Sequence, residues 1–68
     1  MAKWPYDTAA WKKLREVKLA TSPLCEDCER EGRWVEATVV DHRHAISQGG
    51  APFPSLAGLA SLCARHHS

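Results

Sequence analysis

The sequence predicts a small α+β domain that is stabilised by a bound metal, and three observations lead to this prediction. The chain has 68 residues, and a core of that size supplies so little net stability that small domains rely on disulfides, metals or partners. Its three cysteines are an odd number, which disfavours a disulfide framework. A helical apolar pattern near the N-terminus gives way to a valine-rich segment, so we expect both a helix and a strand.

The charges and the first residues narrow the classes of function. Residues 1–20 carry five basic and two acidic side chains, whereas residues 21–68 carry four basic and six acidic ones. A basic N-terminal element could contact a polyanion, although a solvated helix face accounts for the same charges. Lys3 and Pro5 interrupt the N-terminal segment, so we expect neither a signal peptide nor a membrane-spanning segment.

An N-terminal helix is predicted over residues 6–20. Asp7 or Thr8 can cap its start, because a side-chain oxygen there accepts a hydrogen bond from a free backbone amide of the first turn. Apolar side chains recur at helical spacing at Ala10, Trp11, Leu14 and Val17. Pro23 ends the segment, because proline lacks the amide hydrogen that a continuing helix needs.

Residues 24–67 are predicted to form the second, metal-stabilised part of the domain. Residues 24–33 contain few apolar side chains, and we expect them to form a turn. Residues 34–42 are rich in strand-forming side chains. Glu36-Ala37 is a candidate turn within this segment, which would make it a tight hairpin.

A loop and a C-terminal helix complete the prediction. Residues 47–54 contain Gly49-Gly50 and two prolines, a composition typical of a loop. Leucines spaced by three follow at Leu56, Leu59 and Leu62, and we expect a helix that begins near Ser61. The tryptophans are expected to pack into the core; they are Trp4, Trp11 and Trp34.

Two pairs of ligand-type residues predict a zinc site. Cys25-x-x-Cys28 has a spacing that lets two thiolates reach one ion, and Cys63-x-x-His66 repeats it near the C-terminus. Together the four side chains would form a closed tetrahedral site, and thiolates favour zinc over a hard cation. The alternative is a Cys25–Cys28 redox pair with Cys63 as a buried core thiol, but such pairs normally lie in a larger α/β fold.

A second constellation contains groups suited to cation-assisted catalysis. Neighbouring residues on a helix project about 100° apart, so if His66 binds zinc then His67 points elsewhere. Asp41 and His42 lie at the end of the predicted strand. Facing His67, they could hold a divalent cation and provide a general base. A solvated charge pair at a strand end is the alternative.

The order of these motifs resembles that of the HNH endonuclease family. The resemblance rests on Cys25-x-x-Cys28, Val40-Asp41-His42, Ser47-Gln48-Gly49-Gly50 and Leu59-x-x-Leu62-Cys63-x-x-His66-His67. The N-terminal Tyr6-x-x-x-x-Trp11-x-x-Leu14-Arg15 and the later Pro23-Leu24-Cys25 are similar to small phage and prophage members. The resemblance covers residues 6–67 and implies a ββα-metal fold, in which a two-stranded hairpin and a helix hold one catalytic cation. We expect this fold, with its N-terminal helix, to form one domain over residues 1–68.

The resemblance also implies the roles of individual residues. Asp41 and His67 fall on the ligands of the catalytic cation, and His42 falls on the general base. The structural zinc ligands fall on Cys25, Cys28 and Cys63, and His66 replaces a fourth cysteine. Arg43 and His44 are candidate contacts to substrate phosphate.

The implied activity is hydrolysis of DNA phosphodiester bonds, largely without sequence specificity. The cation expected at the catalytic site is Mg²⁺, Mn²⁺ or Ni²⁺, which would stabilise charge on the phosphate and the leaving oxygen. The resemblance to phage members implies a place in the cytoplasm of a bacterial host, and it makes a phage terminase a candidate partner.

One departure from the family pattern bears on the activity. The family's middle asparagine, which would orient the general base, falls on Gly58, and glycine has no side chain to donate a hydrogen bond. Catalytic geometry that is loose by about 1 Å can cost about 100-fold in rate. Gln48 or Ser61 could orient the general base instead.

Two alternatives to an active nuclease remain: a zinc module that binds DNA without cutting it, and a zinc module that interacts with a terminase.

Overall fold

The structure, a computed structural model, describes residues 3–67 and confirms the small α+β class. In chain order the elements are helix α1 (Ala9–Thr21), helix α2 (Glu26–Arg30), strand β1 (Val39–His42), strand β2 (Leu59–Leu62) and helix α3 (Ala64–His67). Two 3₁₀ turns, Ile46–Gln48 and Leu56–Gly58, lie between the strands. Within the described residues, no helix has the length and apolar character needed to cross a membrane.

Helix α1 has the start and the end that its sequence predicts. The hydroxyl oxygen of Thr8 accepts a hydrogen bond from the backbone amide of Trp11 at 3.1 Å, so Thr8 is the N-cap. The helix ends at Thr21, and the amide of Ser22 still donates to the carbonyl of Lys18 at 2.8 Å. Trp11 is buried on the inner face of the helix. Leu14 and Leu19 pack beside it, whereas Ala10 and Val17 are exposed, so only part of the predicted apolar stripe faces the rest of the domain.

The predicted turn over residues 24–33 is wrong, because these residues contain helix α2. Cys25 caps this helix, and its sulfur accepts from the amide of Cys28 at 3.4 Å. Glu26, Asp27 and Glu29 lie in the first turn, where carboxylates are stabilised by the helix dipole. Local capping and charge therefore favour a helix despite the scarcity of apolar residues.

The hairpin forms between distant segments, so the predicted turn at Glu36-Ala37 is wrong. Strand β1 pairs antiparallel with β2, with Val39 opposite Leu62 and His42 opposite Leu59. Glu36 instead forms an isolated bridge with Leu24, and the amide of Ala37 donates to the carbonyl of Pro23 at 2.8 Å. The hairpin therefore consists of β1, a long connection and β2, whereas the sequence predicted both of its strands within residues 34–42.

The predicted C-terminal helix from Ser61 is also wrong over its first residues, because Leu59–Leu62 is strand β2 and α3 begins at Ala64. The spacing of three suits a strand here because Leu59 and Leu62 face opposite sides of the sheet. Leu59 packs with Trp11 and Val40. Leu62 packs with the cysteines on the other side. Each leucine therefore belongs to a different buried cluster, one on the α1 side and one on the cysteine side.

Only one of the three tryptophans packs into the core as predicted. Trp11 is 5% exposed, whereas Trp4 is 61% and Trp34 is 86% exposed. Trp34 precedes Val35, which packs against the cysteine cluster. Adjacent side chains of an extended segment point in opposite directions, so burial of Val35 directs Trp34 to solvent.

A polar junction centred on Glu26 joins the helices to the sheet. One carboxylate oxygen of Glu26 lies 3.4 Å from the ammonium of Lys18, a buried side chain, and accepts from the amide of Ser61 at 2.7 Å. The other oxygen pairs with Arg43. Burial raises the pKa of Glu26, but the Ser61 amide, the Arg43 guanidinium and the Lys18 charge together lower it below its usual value. Glu26 is therefore an ionised structural residue.

The Gly49-Gly50 segment has a structural explanation in the connection between the strands. Gly49 has a φ of 92°, which favours glycine. A Cβ on Gly50 would clash with the carbonyl oxygen of His44, so that position has no room for a side chain. The amide of Gly50 donates to the carbonyl of Ala45 at 2.9 Å. The two glycines allow the chain to fold back tightly after β1.

Candidate metal and active site

The two predicted ligand pairs come together in space. The ligand atoms of Cys25, Cys28, Cys63 and His66 all lie within 4.8 Å of one another. Cys28 Sγ is 3.7 Å from Cys63 Sγ. Nδ1 of His66 lies 3.6, 3.4 and 3.3 Å from the sulfurs of Cys25, Cys28 and Cys63 respectively.

These separations fit tetrahedral zinc. With zinc–sulfur bonds of about 2.3 Å and a zinc–nitrogen bond of about 2.0–2.1 Å, tetrahedral geometry places sulfurs about 3.8 Å apart and nitrogen about 3.6 Å from sulfur. The observed distances lie within a few tenths of an ångström of these values. The three soft sulfur donors also suit zinc better than a hard cation. The four residues therefore form a group that could hold zinc.

Local structure brings the ligands to one point. Cys25 and Cys28 flank the first turn of α2. Cys63 follows β2, and its carbonyl accepts from the amides of His66 and His67 at 3.1 Å each, which forms the single turn of α3. A metal ion bound here would join α2 to the end of the hairpin.

Burial and hydrogen bonds shift the pKa values of two thiols of the cluster in opposite directions. Burial, together with the neighbouring cysteines, raises the pKa of the Cys28 thiol to about 11. The hydrogen bond from His66 lowers the pKa of the Cys63 thiol to about 6. Three thiols and an imidazole this close cannot all adopt the ligand form favourably unless a positive ion lies between them.

Asp41 and His67 line one cavity that helix α1 also borders. The cavity has a volume of about 450 Å³, and its wall also contains Tyr6, Trp11 and Arg15. Oδ1 of Asp41 accepts from the backbone amide of His42 at 2.9 Å. The strand end and the short helix α3 thus place a carboxylate and an imidazole around the same space. Within residues 3–67, the cysteine–histidine cluster is the one group of three or more ligand-type side chains close enough to share an ion.

His42 does not line this cavity, but its ring lies on Trp11, which does. Its Nε2 lies 2.9 Å from the carbonyl oxygen of Pro52. Its ring stacks on Trp11, with centroids 5.0 Å apart and planes at 12°, and Tyr6 contacts it edge-on at 6.0 Å. Because a carbonyl oxygen only accepts, Nε2 carries the proton and Nδ1 is the basic nitrogen. Nδ1 is buried and has no hydrogen-bond partner among the described residues.

Comparison with solved structures identifies the architecture. The chain is similar to the crystal structure of the HNH endonuclease of the deep-sea thermophilic bacteriophage GVE2 with a manganese ion, with a TM-score of 0.74 and 26% sequence identity. The similarity covers 91% of this chain and 68% of the phage chain. The chain has the HNH endonuclease fold. No protein-family profile and no curated protein sequence matches the chain.

The HNH fold was predicted correctly although its hairpin was misplaced along the sequence. In the HNH unit of this chain, β1 carries Asp41 and His42, β2 follows after the glycine-containing connection, and α3 carries His67. Asp41-His42 lies at the end of β1, before the glycine-containing connection, and Cys63 to His67 follow β2. The strand that precedes Cys63 was missed because its leucine spacing also fits a helix.

Two residues predicted to contact substrate are engaged by the protein itself. Nε of Arg43 donates to the carbonyl of Ala57 at 3.0 Å, and its guanidinium pairs with Glu26. Nε2 of His44 lies 2.9 Å from the carbonyl of Gln48. These contacts support the connection between the strands, and the phosphate role of both residues stays a prediction.

Gly58 stands where the HNH pattern has asparagine, and its surroundings explain the glycine. A Cβ at this position would lie 2.8 Å from Cβ of Pro54, closer than side chains pack. The carbonyl of Gly58 accepts from the amide of Arg43 at 3.0 Å, which ties the connection to the end of β1. The carbonyl of Pro52, rather than a side chain at residue 58, holds the ring of His42.

Sequence reasoning missed four residues that shape the site. Tyr6 and Trp11 form the aromatic surroundings of His42. Arg15 reaches the cavity, and Glu31 contacts His66. The Tyr6-x-x-x-x-Trp11-x-x-Leu14-Arg15 motif was a signal for the first three, whereas nothing in the sequence marks Glu31.

Proposed function

We propose that this protein is a divalent-metal-dependent HNH endonuclease that hydrolyses DNA phosphodiester bonds. The observation that carries the proposal is the cavity lined by Asp41 and His67, with His42 stacked on Trp11 of the cavity wall. The similar bacteriophage GVE2 protein is an HNH endonuclease whose crystal structure holds manganese. DNA as the substrate follows from that similarity.

Asp41 and His67 would hold the catalytic cation, and Mg²⁺, Mn²⁺ or Ni²⁺ is proposed. A carboxylate oxygen and an imidazole nitrogen suit such ions, and two protein ligands leave coordination positions for water and phosphate oxygens. The bound cation would supply positive charge against the phosphate and the leaving 3′ oxygen. The zinc proposed at Cys25, Cys28, Cys63 and His66 would be structural, because four protein ligands leave no open position.

His42 is proposed as the general base. Nδ1 can take a proton from the attacking water, because Nε2 is committed as a donor to Pro52. The water oxygen would bond to phosphorus as the bond from phosphorus to the 3′ oxygen breaks. The 3′ oxygen would take a proton from solvent water, which leaves a 3′ hydroxyl and a 5′ phosphate. A buried acceptor without a partner costs about 1–3 kcal/mol. Active sites tolerate such a cost when the group has chemistry to perform.

Arg15 is proposed as a phosphate contact at the same cavity. One of its guanidinium nitrogens donates to the carbonyl of Thr38 at 2.8 Å, which fixes the head group at the cavity wall. Within residues 3–67, Arg15 has no carboxylate partner, in contrast to Arg30, Arg33 and Arg43. Its remaining donors can therefore bind an anion. A guanidinium fixed beside a cation site suits the two oxygens of a phosphodiester.

Cleavage of supercoiled plasmid with Mg²⁺, Mn²⁺ or Ni²⁺ tests the proposed function. We expect conversion to nicked or linear DNA, and we expect His42→Ala to reduce the rate by about 100-fold or more, the usual contribution of a general base. Zinc content of the variant should match the wild type, because His42 is outside the cysteine cluster. Equal cleavage by wild type and His42→Ala would refute the role of His42. Salt-sensitive DNA binding without cleavage under any cation would instead favour the non-catalytic zinc module.

A phage or prophage origin, a cytoplasmic location in a bacterial host and a terminase partner stay predictions from the sequence resemblance.

A further inference from the structure

Glu31 contacts the fourth ligand of the cysteine–histidine cluster on the side that faces away from the sulfurs. Nδ1 of His66 faces the three cysteines. Nε2 of the same ring lies 3.1 Å from Oε2 of Glu31. A histidine binds metal through an unprotonated nitrogen, and its second nitrogen must then carry the proton. A carboxylate at Nε2 accepts that proton in a hydrogen bond and so selects the ligand form of the ring.

Glu31 is anchored by its backbone and by an ion pair with Arg33. It lies just after α2, where its amide donates to the carbonyl of Cys28 at 3.0 Å. Its other carboxylate oxygen pairs with Arg33 at 3.1 Å, and Arg33 also lies 3.7 Å from the sulfur of Cys28. Gly32, with a φ of 80°, makes the turn that brings Arg33 back to the cluster. These contacts connect both ligand pairs of the cluster outside the metal position.

We propose that Glu31 is a positioning residue of the zinc centre, and that the centre needs it because residue 66 is a histidine. A cysteine binds metal through its sulfur and has no ring to orient, so a carboxylate at the position of Glu31 would not support it. A histidine ring can rotate and change tautomer, so an unsupported His66 presents its lone pair to the metal only part of the time. Arg33 has the supporting role of holding Glu31 and offsetting negative charge on the thiolate cluster.

The proposal predicts an energetic coupling between positions 31 and 66. In the wild-type background, Glu31→Ala should weaken zinc binding about 10–100-fold, the usual effect of losing a partner of a metal-bound histidine. Glu31→Gln should weaken it less, because its amide oxygen still accepts from Nε2. In a His66→Cys background, Glu31→Ala should change zinc affinity by less than about twofold, since no ring remains to be positioned.

Competition for zinc against a chromophoric chelator measures these affinities on the full chain without DNA. Titration with Co²⁺ adds a spectroscopic readout, because its visible bands distinguish three sulfurs and one nitrogen from four sulfurs. Glu29→Ala is the matched control, since Glu29 is an exposed carboxylate of α2, the helix that Glu31 follows, and its replacement removes the same charge. We expect it to leave zinc affinity within about twofold of wild type.

Two results would overturn the proposal. One is wild-type zinc affinity in Glu31→Ala. The other is an equal loss of affinity in the wild-type and His66→Cys backgrounds, which would indicate a general effect of charge. If Glu31→Ala remains unfolded with zinc, two other measurements test the proposal. Glu31→Gln should bind zinc more weakly than the wild type, and Glu31→Ala should have little effect on zinc affinity in the His66→Cys background. Failure of either would overturn the proposal. These outcomes are independent of DNA cleavage, so an inactive protein would leave this test unaffected.

Discussion

A few specific contacts hold the ring of His42. Its ring has one nitrogen on the carbonyl of Pro52 and one face on Trp11. These contacts restrict both the tautomer and the rotamer of the proposed base. Gly58 lacks the side chain that the HNH pattern provides, and the chain supplies the orienting contact from its backbone instead. The departure at Gly58 therefore does not by itself indicate a loose active site.

Arg15 gives a prediction at the residue scale. Arg15→Gln should lower kcat/KM for a short DNA duplex by about 10–100-fold, because the charge-assisted contact to phosphate is lost at the cation site. Lys12→Gln removes the same charge from an exposed position of the same helix and should have a much smaller effect. Arg15→Lys should recover part of the loss, since a charge remains without the paired donors. Equal kinetics for Arg15→Gln and Lys12→Gln would exclude a specific phosphate contact.

The helices and strands are too short to be stable alone, so their junctions determine the structure. Helix α2 has five residues, and each strand has four. The Glu26 carboxylate bonds the free edge of β2 through the amide of Ser61 and pairs with Lys18 of α1. One side chain thus connects α1, α2 and the hairpin. No local pattern around Glu26 predicts this junction, because its partners lie 8 to 35 residues away.

Replacement of Glu26 gives a prediction at the element scale. Glu26→Gln should lower the free energy of unfolding by about 2 kcal/mol or more, because Lys18 stays buried without an anionic partner. Urea unfolding of zinc-loaded protein at neutral pH measures the change. Glu36→Gln, which alters an exposed carboxylate, is the control and should change stability by about 0.5 kcal/mol or less. Similar stabilities of the two variants would mean that Glu26 contributes no structural ion pair.

At the scale of the whole molecule, the hairpin separates two small clusters that depend on each other. Trp11, Val40 and Leu59 form the cluster beneath α1. The cysteines and Leu62 form the other, at the proposed zinc centre. His66 of the zinc cluster and His67 of the cavity are adjacent on the single turn of α3. The zinc centre and the proposed catalytic site therefore share one short element.

Removal of zinc gives a prediction for the whole molecule. A chelator should abolish both the helical circular dichroism signal and DNA cleavage, because α3 and the end of the hairpin lose their attachment to α2. One equivalent of zinc should restore both, whereas Mg²⁺ alone should restore neither, since it binds thiolates poorly. A metal-free chain with a native spectrum, or purified protein with well below one zinc per chain, would contradict a zinc-stabilised fold.

The sequence alone predicted the first helix, the four members of the metal cluster and the class of fold. These features depend on local information: a cap, an apolar period and short fixed spacings between ligands. It misplaced the hairpin, because β1 pairs with a segment that is distant along the chain. It missed α2, because that helix depends on the Cys25 cap and an acidic first turn rather than on an apolar period.

Tertiary structure decided which side chains meet. Pairing of β1 with β2 across the glycine-containing connection placed Asp41 and His67 on one cavity. The same folding set Trp11 on His42 and Glu31 on His66. The last of these contacts joins residues 35 positions apart in the chain. The geometry of such contacts is set by packing, because ligand spacing constrains only neighbours along the chain.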